Sequence, residues 1–297
     1  MGQDEKRVDL HLHSSVSDGL FGPAELVRKA AAAGLRAIAL TDHDEVGGIE
    51  EALRAGKAVG IEVVPGIEIS CEGGSLDVHM LGFFVDPRHP EIRDYVHWYH
   101  EERLQRGRRM VQRLAELGIH LDFAELVQRV GSGALGRPHI ADALLQHGYV
   151  SSIAEAFERY LGDGRPAYVP KRKLSPADAV ELIHRAGGLA VLAHPGDGLS
   201  REEVLRAIEL GIDGLEAVHP RHSAENVEWI RKIARDHGLL ETGGSDFHGR
   251  GDEFLLGALD VFWPAYQALV EARDKNRRSS RVQSNTRGGE AEKASTA

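Results

Sequence analysis

The chain has 297 residues, a formal net charge of −10 at pH 7, 42% hydrophobic residues and 28% charged residues, a globular composition that excludes collagen-like, coiled-coil and wholly disordered chains. One cysteine excludes a disulfide framework and a cysteine-based zinc site; no apolar run reaches the roughly 20 residues that span a bilayer. The polar Met1–Arg7 stretch has no signal core, so a cytoplasmic enzyme is expected.

The pattern first alternates strand and helix. Strands are expected at Val8–His13, Arg36–Thr41, Ile61–Ile69 (interrupted by Pro-Gly) and Asp77–Val85, with helices at Pro23–Ala33 and Gly48–Val59. Such alternation implies a parallel sheet or barrel. From Ile92 to about Lys173 only helices are expected, beginning with a long one over Ile92–Leu117, and a Gly/Pro-rich run, Gly162–Pro170, closes the stretch. Alternation then resumes: helices at Pro176–Ala186, Arg201–Leu210 and Ser223–His237, and strands at Leu189–Ala193, Gly214–Val218 and Leu239–Gly243. An apolar segment, Leu255–Ala272, ends the fold. The expected class is α/β: a barrel from residues 1–91 and 175–273, a helical domain inserted at 92–174, and a polar, disordered tail at 274–297. The insert and the tail each carry +3, which leaves the barrel at −16. An acidic body with a more basic insert suits a cation-rich site that handles an anion.

Sixteen histidines stand against 6 Tyr, 8 Phe and 3 Trp. Histidine is the commonest metal ligand. Their positions are informative, because nearly every expected strand ends in His, Asp or Glu: His11 and His13, the run Thr41-Asp42-His43-Asp44, Glu68, His194, His219, and Asp246 with His248. His79, early in its strand, is the exception. The carboxyl ends of barrel strands converge on the face that carries the active site. Residues i and i+2 of a strand point to one side, so His11/His13 and Asp246/His248 form two claws. With Asp18, His43, Glu68, His79 and His194 they make nine candidate ligands, enough for two or three ions. Mixed imidazole and carboxylate donors suit Mn²⁺ first, then Fe²⁺ or Zn²⁺.

The runs VDLHLHSSVSDG, TDHD, PGIEIS, AHPG and GSDFHG occur in this order over residues 8–273. In them the chain resembles the polymerase-and-histidinol-phosphatase (PHP) family. The resemblance implies a distorted, TIM-like (β/α)7 barrel holding up to three metals. One would take His11, His13, Glu68 and Asp246; a second would share Glu68 and take His79 and His194; a third would take Asp18, His43 and His248. The GRPH run at Gly136–His139, followed by Tyr168-Val169, looks like the nucleotide-directed group of that family, which includes 3′,5′-nucleoside bisphosphate phosphatases and the 5′→3′ exoribonuclease RNase AM. The substrate implied is a bisphosphate nucleotide or a short 5′-phosphorylated RNA, hydrolysed by attack of a metal-bridging hydroxide.

Arg137 offers a planar fork that matches phosphate. His139 sits beside it at a helix start, where backbone N–H groups favour anions; it is a candidate catalytic proton donor as well as a phosphate contact. Lys173, His219 and His222 are further candidate substrate contacts. The alternatives are a histidinol-phosphate phosphatase, which would share barrel and metals, and a metal-binding module without turnover. The acidic net charge, with no basic helix-turn-helix or zinc-finger pattern, argues against sequence-specific DNA binding, and no membrane partner is expected.

Overall fold

A computed structural model of the chain describes residues 7–73, 76–130 and 135–294. Residues 1–6 of the polar start and 295–297 of the expected tail lie outside them. Two compact units divide the chain: Met1–Ile92 with Leu174–Ala297, and Arg93–Lys173.

The first unit is built on one seven-stranded sheet in chain order: β1 (Val8–Leu12), β2 (Ala37–Leu40), β3 (Glu62–Gly73), β4 (Leu76–Phe83), β5 (Leu189–Leu192), β6 (Gly214–Val218) and β7 (Leu240–Gly243). The pairs β1–β2, β2–β3, β5–β6 and β6–β7 are parallel. The sheet curls until β1 meets the segment after β7. There the His13 N–H donates to the Phe247 carbonyl and the Asp246 N–H to the His11 carbonyl, both at 3.0 Å. The result is the expected distorted barrel, nearly closed.

The expectation of a parallel sheet fails at one place. β4 runs antiparallel to both β3 and β5, with Glu68 opposite Leu81 and Ser70 opposite His79. The reason is chain length: a parallel return needs a crossover of a dozen or more residues, and β3 and β4 are separated by far fewer. Nor does Pro65-Gly66 interrupt β3, where Pro65 pairs with Leu40 of β2. A Cβ at Gly66 would stand 2.9 Å from the Leu40 carbonyl oxygen, so glycine lets these two strands approach.

Ten α-helices are described: α1 (Pro23–Ala32), α2 (Ile49–Val59), α3 (Pro90–Glu116), α4 (Phe123–Val130), α5 (Arg137–Gln146), α6 (Ile153–Ala156), α7 (Pro176–Arg185), α8 (Arg201–Glu209), α9 (Ala224–His237) and α10 (Trp263–Ala294). Their ends follow local chemistry. Pro opens α1 and α7, where its missing N–H costs nothing. The Ser223 hydroxyl accepts from the Asn226 N–H at 3.1 Å to start α9. Gly60 and Gly238 end α2 and α9 with φ of 76° and 65°.

Each face of the sheet buries its own apolar set. Val8, Leu10, Ala37, Ala39, Leu81 and Val191 belong to one cluster, with Leu269 of α10. Ile38 and Leu40 pack with Leu26, Val27 and Ala30 of α1 and Ile49 and Ala52 of α2 in another. This is the alternation a pleated strand imposes.

The second unit is helical, without a strand among its described residues. Its core joins Met110 and Leu114 of α3 to Ile140 and Leu144 of α5 and to Leu161. In the first unit, α10 runs on to Ala294 through most of the segment expected to be disordered. That segment contains no proline, and its Ala, Arg, Glu and Lys favour helix. No helix of the described residues is long and apolar enough to cross a membrane.

Candidate metal centre

Glu68 of β3 is the hub of the carboxyl-terminal face. It is fully buried, and its two oxygens meet five imidazoles. Oε2 lies 3.2 Å from Nε2 of both His11 and His13 and 3.0 Å from His43 Nδ1. Oε1 lies 2.8 Å from His79 Nδ1 and 3.3 Å from His194 Nε2. Asp246 faces the first pair from across the barrel seam, with Oδ1 3.5 Å from His11 Nε2 and 3.0 Å from His13 Nε2. Asp18 Oδ1 stands 3.3 Å from His248 Nε2, and its Oδ2 3.9 Å from His43 Nε2.

Three groups have donor atoms within 4.8 Å of one another: His11, His13, Glu68 and Asp246; His43, Glu68 and His79; and His13, Asp18, His43 and His248. All nine expected positions therefore converge. His194 meets Glu68 but belongs to none of the three groups. The reversed strand explains His79: because β4 is antiparallel, its beginning lies where its neighbours end.

Carboxylates that are not themselves among the nine hold the segments that carry these residues. Asp42 accepts from the Ser14 N–H (2.7 Å) and from the hydroxyls of Ser14 (2.7 Å) and Ser17 (2.6 Å), next to Asp18. Asp44 accepts from the Ser70 N–H and hydroxyl, both at 2.8 Å. Asp9 accepts from the Ser245 N–H at 2.9 Å, and burial pushes its carboxyl up to about 6 against that bond. Asp44, His194 and Asp246 have φ of 52°, 31° and 52°. Such left-handed conformations are costly for non-glycine residues and cluster at functional sites.

The electrostatics divide the ring. Burial raises the Glu68 carboxyl, but His43, His11 and His79 outweigh it and hold the group well below its ordinary range. Asp246 is likewise held low, its burial overcome by His11 and His13. Burial opposes protonation of His13, yet Asp246 and Glu68 lift it to about 10. Burial wins at His43, assisted by His13 and His79, and pushes it down to about 4. Without metal a proton is thus favoured on His13, which lies between Asp246 and Glu68, and disfavoured on His43, and a cation entering beside His13 would displace that proton.

In the second unit, α5 starts with the GRPH run. The Arg137 guanidinium pairs with Asp163 at 2.6 Å and lies 5.5 Å from the Tyr168 ring centroid. His139 Nδ1 accepts from the Gly136 N–H at 3.0 Å, so the neutral ring carries its proton on Nε2. Burial and Arg103 keep His139 below its ordinary value. Burial and neighbouring Arg137 also lower Arg106, a sign of crowded positive charge. Lys173 is the last residue of this unit.

The PHP domain family model matches residues 9–186. The chain belongs to the PHP family. It is 35% identical to a 5′-3′ exoribonuclease of Haemophilus influenzae over 82% of this chain and 90% of that one. It is 36% identical to the 3′,5′-nucleoside bisphosphate phosphatase of Chromobacterium violaceum, over 82% and 88%. A solved structure from Bifidobacterium adolescentis, of a protein inferred to be a metal-dependent phosphoesterase, superposes with a TM-score of 0.78 at 33% identity, covering 91% of this chain and 96% of that one.

For a PHP chain the donor set fits divalent cations. Buried His11 Nε2, both His13 nitrogens, His43 Nδ1 and Glu68 Oε2 make no hydrogen bond. Buried polar atoms are otherwise almost always paired. Here these atoms lie close to one another instead, within the donor groups above.

Two histidines differ from the sequence reading. His219, expected as a candidate substrate contact, is buried. Its Nδ1 accepts from the Arg221 N–H at 3.3 Å, and its Nε2 lies 3.5 Å from Asp246 Oδ2. His222, expected to touch substrate, has both nitrogens engaged. Nδ1 donates to the Ala217 carbonyl (2.9 Å) and Nε2 accepts from the Gly196 N–H (3.0 Å). It ties two loops together. Glu216 went unnoticed in the sequence, although a glutamate in an otherwise apolar strand is the signal for it.

Proposed function

We propose that this PHP chain is a metal-dependent phosphoric ester hydrolase acting on nucleotides, as a 3′,5′-nucleoside bisphosphate phosphatase, a 5′→3′ exoribonuclease on short 5′-phosphorylated RNA, or both. The observation that carries the reading is the convergence of five imidazoles on the two oxygens of Glu68. The relatives' activities support the nucleotide class, and so does the GRPH run.

His11, His13, Glu68 and Asp246 would hold one ion, Glu68, His79 and His194 a second, and Asp18, His43 and His248 a third. Mn²⁺ is the proposed metal, with Fe²⁺ or Zn²⁺ as substitutes. Such ions supply an acidified water and positive charge against phosphoryl oxygens. The protein residues do the rest. The carboxylates and neutral rings fix the ions. Buried His219, with Nδ1 already accepting, presents an Nε2–H that can donate to a phosphoryl oxygen. Arg137 grips a substrate phosphate through its fork, with Lys173 adding charge. His139 donates from Nε2 to a phosphate or to the leaving oxygen.

A substrate screen with Mn²⁺ tests this. Adenosine 3′,5′-bisphosphate or 5′-phosphorylated oligoribonucleotides should be hydrolysed with at least tenfold higher kcat/KM than histidinol phosphate, a margin of about 1.4 kcal/mol. A preference for histidinol phosphate would overturn the nucleotide reading, and no hydrolysis of any phosphoester would leave a metal-binding module. Arg137→Ala should lower kcat/KM for the bisphosphate.

A further inference from the structure

Glu216 belongs to none of the ligand sets above, yet it touches two of them. It lies in the middle of β6 and is fully buried. Its oxygens are divided between two clients. Oε1 is 3.0 Å from His11 Nδ1. Oε2 accepts from the His194 backbone N–H at 2.7 Å.

An ionised carboxylate only accepts. His11 must therefore carry a proton on Nδ1, which in the neutral ring leaves the Nε2 lone pair toward Glu68 and Asp246. At His194 the other oxygen secures a backbone held at φ 31°, a conformation that persists only where its surroundings enforce it.

We propose that Glu216 is a positioning residue that ties His11 to His194, so that the two ion positions served by these residues are set together. The proposal rests on the metal reading above. On this proposal the position needs a carboxylate and not any polar group of the same shape. Glutamine has one accepting oxygen and one donating nitrogen. With its oxygen toward the His194 N–H, its NH₂ faces His11 and favours the tautomer protonated on Nε2, which cannot bind metal there. With its oxygen toward His11, its NH₂ meets the His194 N–H donor to donor and releases that backbone. Glu216→Gln satisfies one client at a time, and Glu216→Ala neither.

The test uses the full chain dialysed against a range of free Mn²⁺, with bound metal counted by mass spectrometry and folding checked by circular dichroism. Glu216→Gln should weaken Mn²⁺ binding about 10–100-fold, the usual loss when a ligand's supporting partner is removed; Glu216→Ala should weaken it at least as much. A second measurement needs no variant of Glu216. In Zn²⁺-loaded wild type with ¹⁵N-labelled histidine, His11 should keep its proton on Nδ1 and bind through Nε2. Unchanged Mn²⁺ affinity in folded Glu216→Gln, or a His11 protonated on Nε2, overturns the brace. No ion bound to wild type overturns the metal reading itself.

Discussion

At the scale of single residues, Glu68 is the position on which the others depend. Its loss should be felt by more than one ion, because both its oxygens face imidazoles. Glu68→Gln should fold, retain at most one ion per chain by metal analysis, and lose at least about 10³-fold in kcat. That figure assumes the ions supply several kcal/mol of transition-state charge stabilisation. Retention of the wild-type metal complement would remove Glu68 from the hub. His219 makes a contrasting case. His219→Ala should keep its bound metal and lose about 100-fold in kcat, the usual scale for one donor aimed at developing charge. Equal kcat in variant and wild type would return His219 to a packing role.

The histidines and acids of the centre were legible for a physical reason: ligands sit at strand ends, and period-two spacing puts pairs such as His11 and His13 on one side. The bracing residues were not. Asp42 and Asp44 flank His43 in one motif, yet nothing in their spacing shows that each turns away to hold a serine of another segment, Asp42 one after β1 and Asp44 one within β3. Nor does the sequence show that His222 spends both nitrogens on backbone, because those contacts join loops that only the fold brings together.

At the scale of elements, the helix and strand periods were readable, but strand direction at β4 was not. Two apolar runs read as separate strands in a parallel pattern; the short link between them is the feature that dictates a hairpin. Connections outside the centre carry their own chemistry. His184 of α7 pairs with Asp213, just before β6, at 2.8 Å. Asp213 also accepts from the Ala190 N–H of β5 at 2.7 Å. The Asp213 bond, against partial burial, raises His184 above its ordinary value of 6.5. A raised histidine contributes its stability fully below the unfolded value and loses it as pH rises through the folded one. His184→Gln should therefore destabilise the chain more at pH 5.5 than at pH 9. The His184 side chain is 38% exposed, so solvent screening limits the effect to about 1 kcal/mol. Urea unfolding at the two pH values would show it, and an equal loss at both would refute the linkage.

At the scale of the whole molecule, the charge is unevenly shared: an acidic barrel carries the centre, and the helical insert carries the crowded arginines. Metal removal should register throughout the first unit, because ions that bind only the folded state stabilise it. At 100 times the dissociation constant a single site adds about 2.7 kcal/mol. The melting temperature should rise with Mn²⁺ and return to the metal-free value with a chelator. A melting curve indifferent to Mn²⁺ would contradict the centre.

The seam between β1 and the end of the sheet has a consequence for synthesis. Ser245 and Asp9, which bond across it, are 236 residues apart, and Asp246 and His248 lie just beyond. A chain emerging from the ribosome thus presents His11, His13, Glu68 and His79 long before Asp246, which completes the first group, exists. Such distant pairing is slow to form, because loop closure must be paid before the contacts reward it. The first group stays incomplete until the barrel closes, whereas His43, Glu68 and His79 all precede the seam.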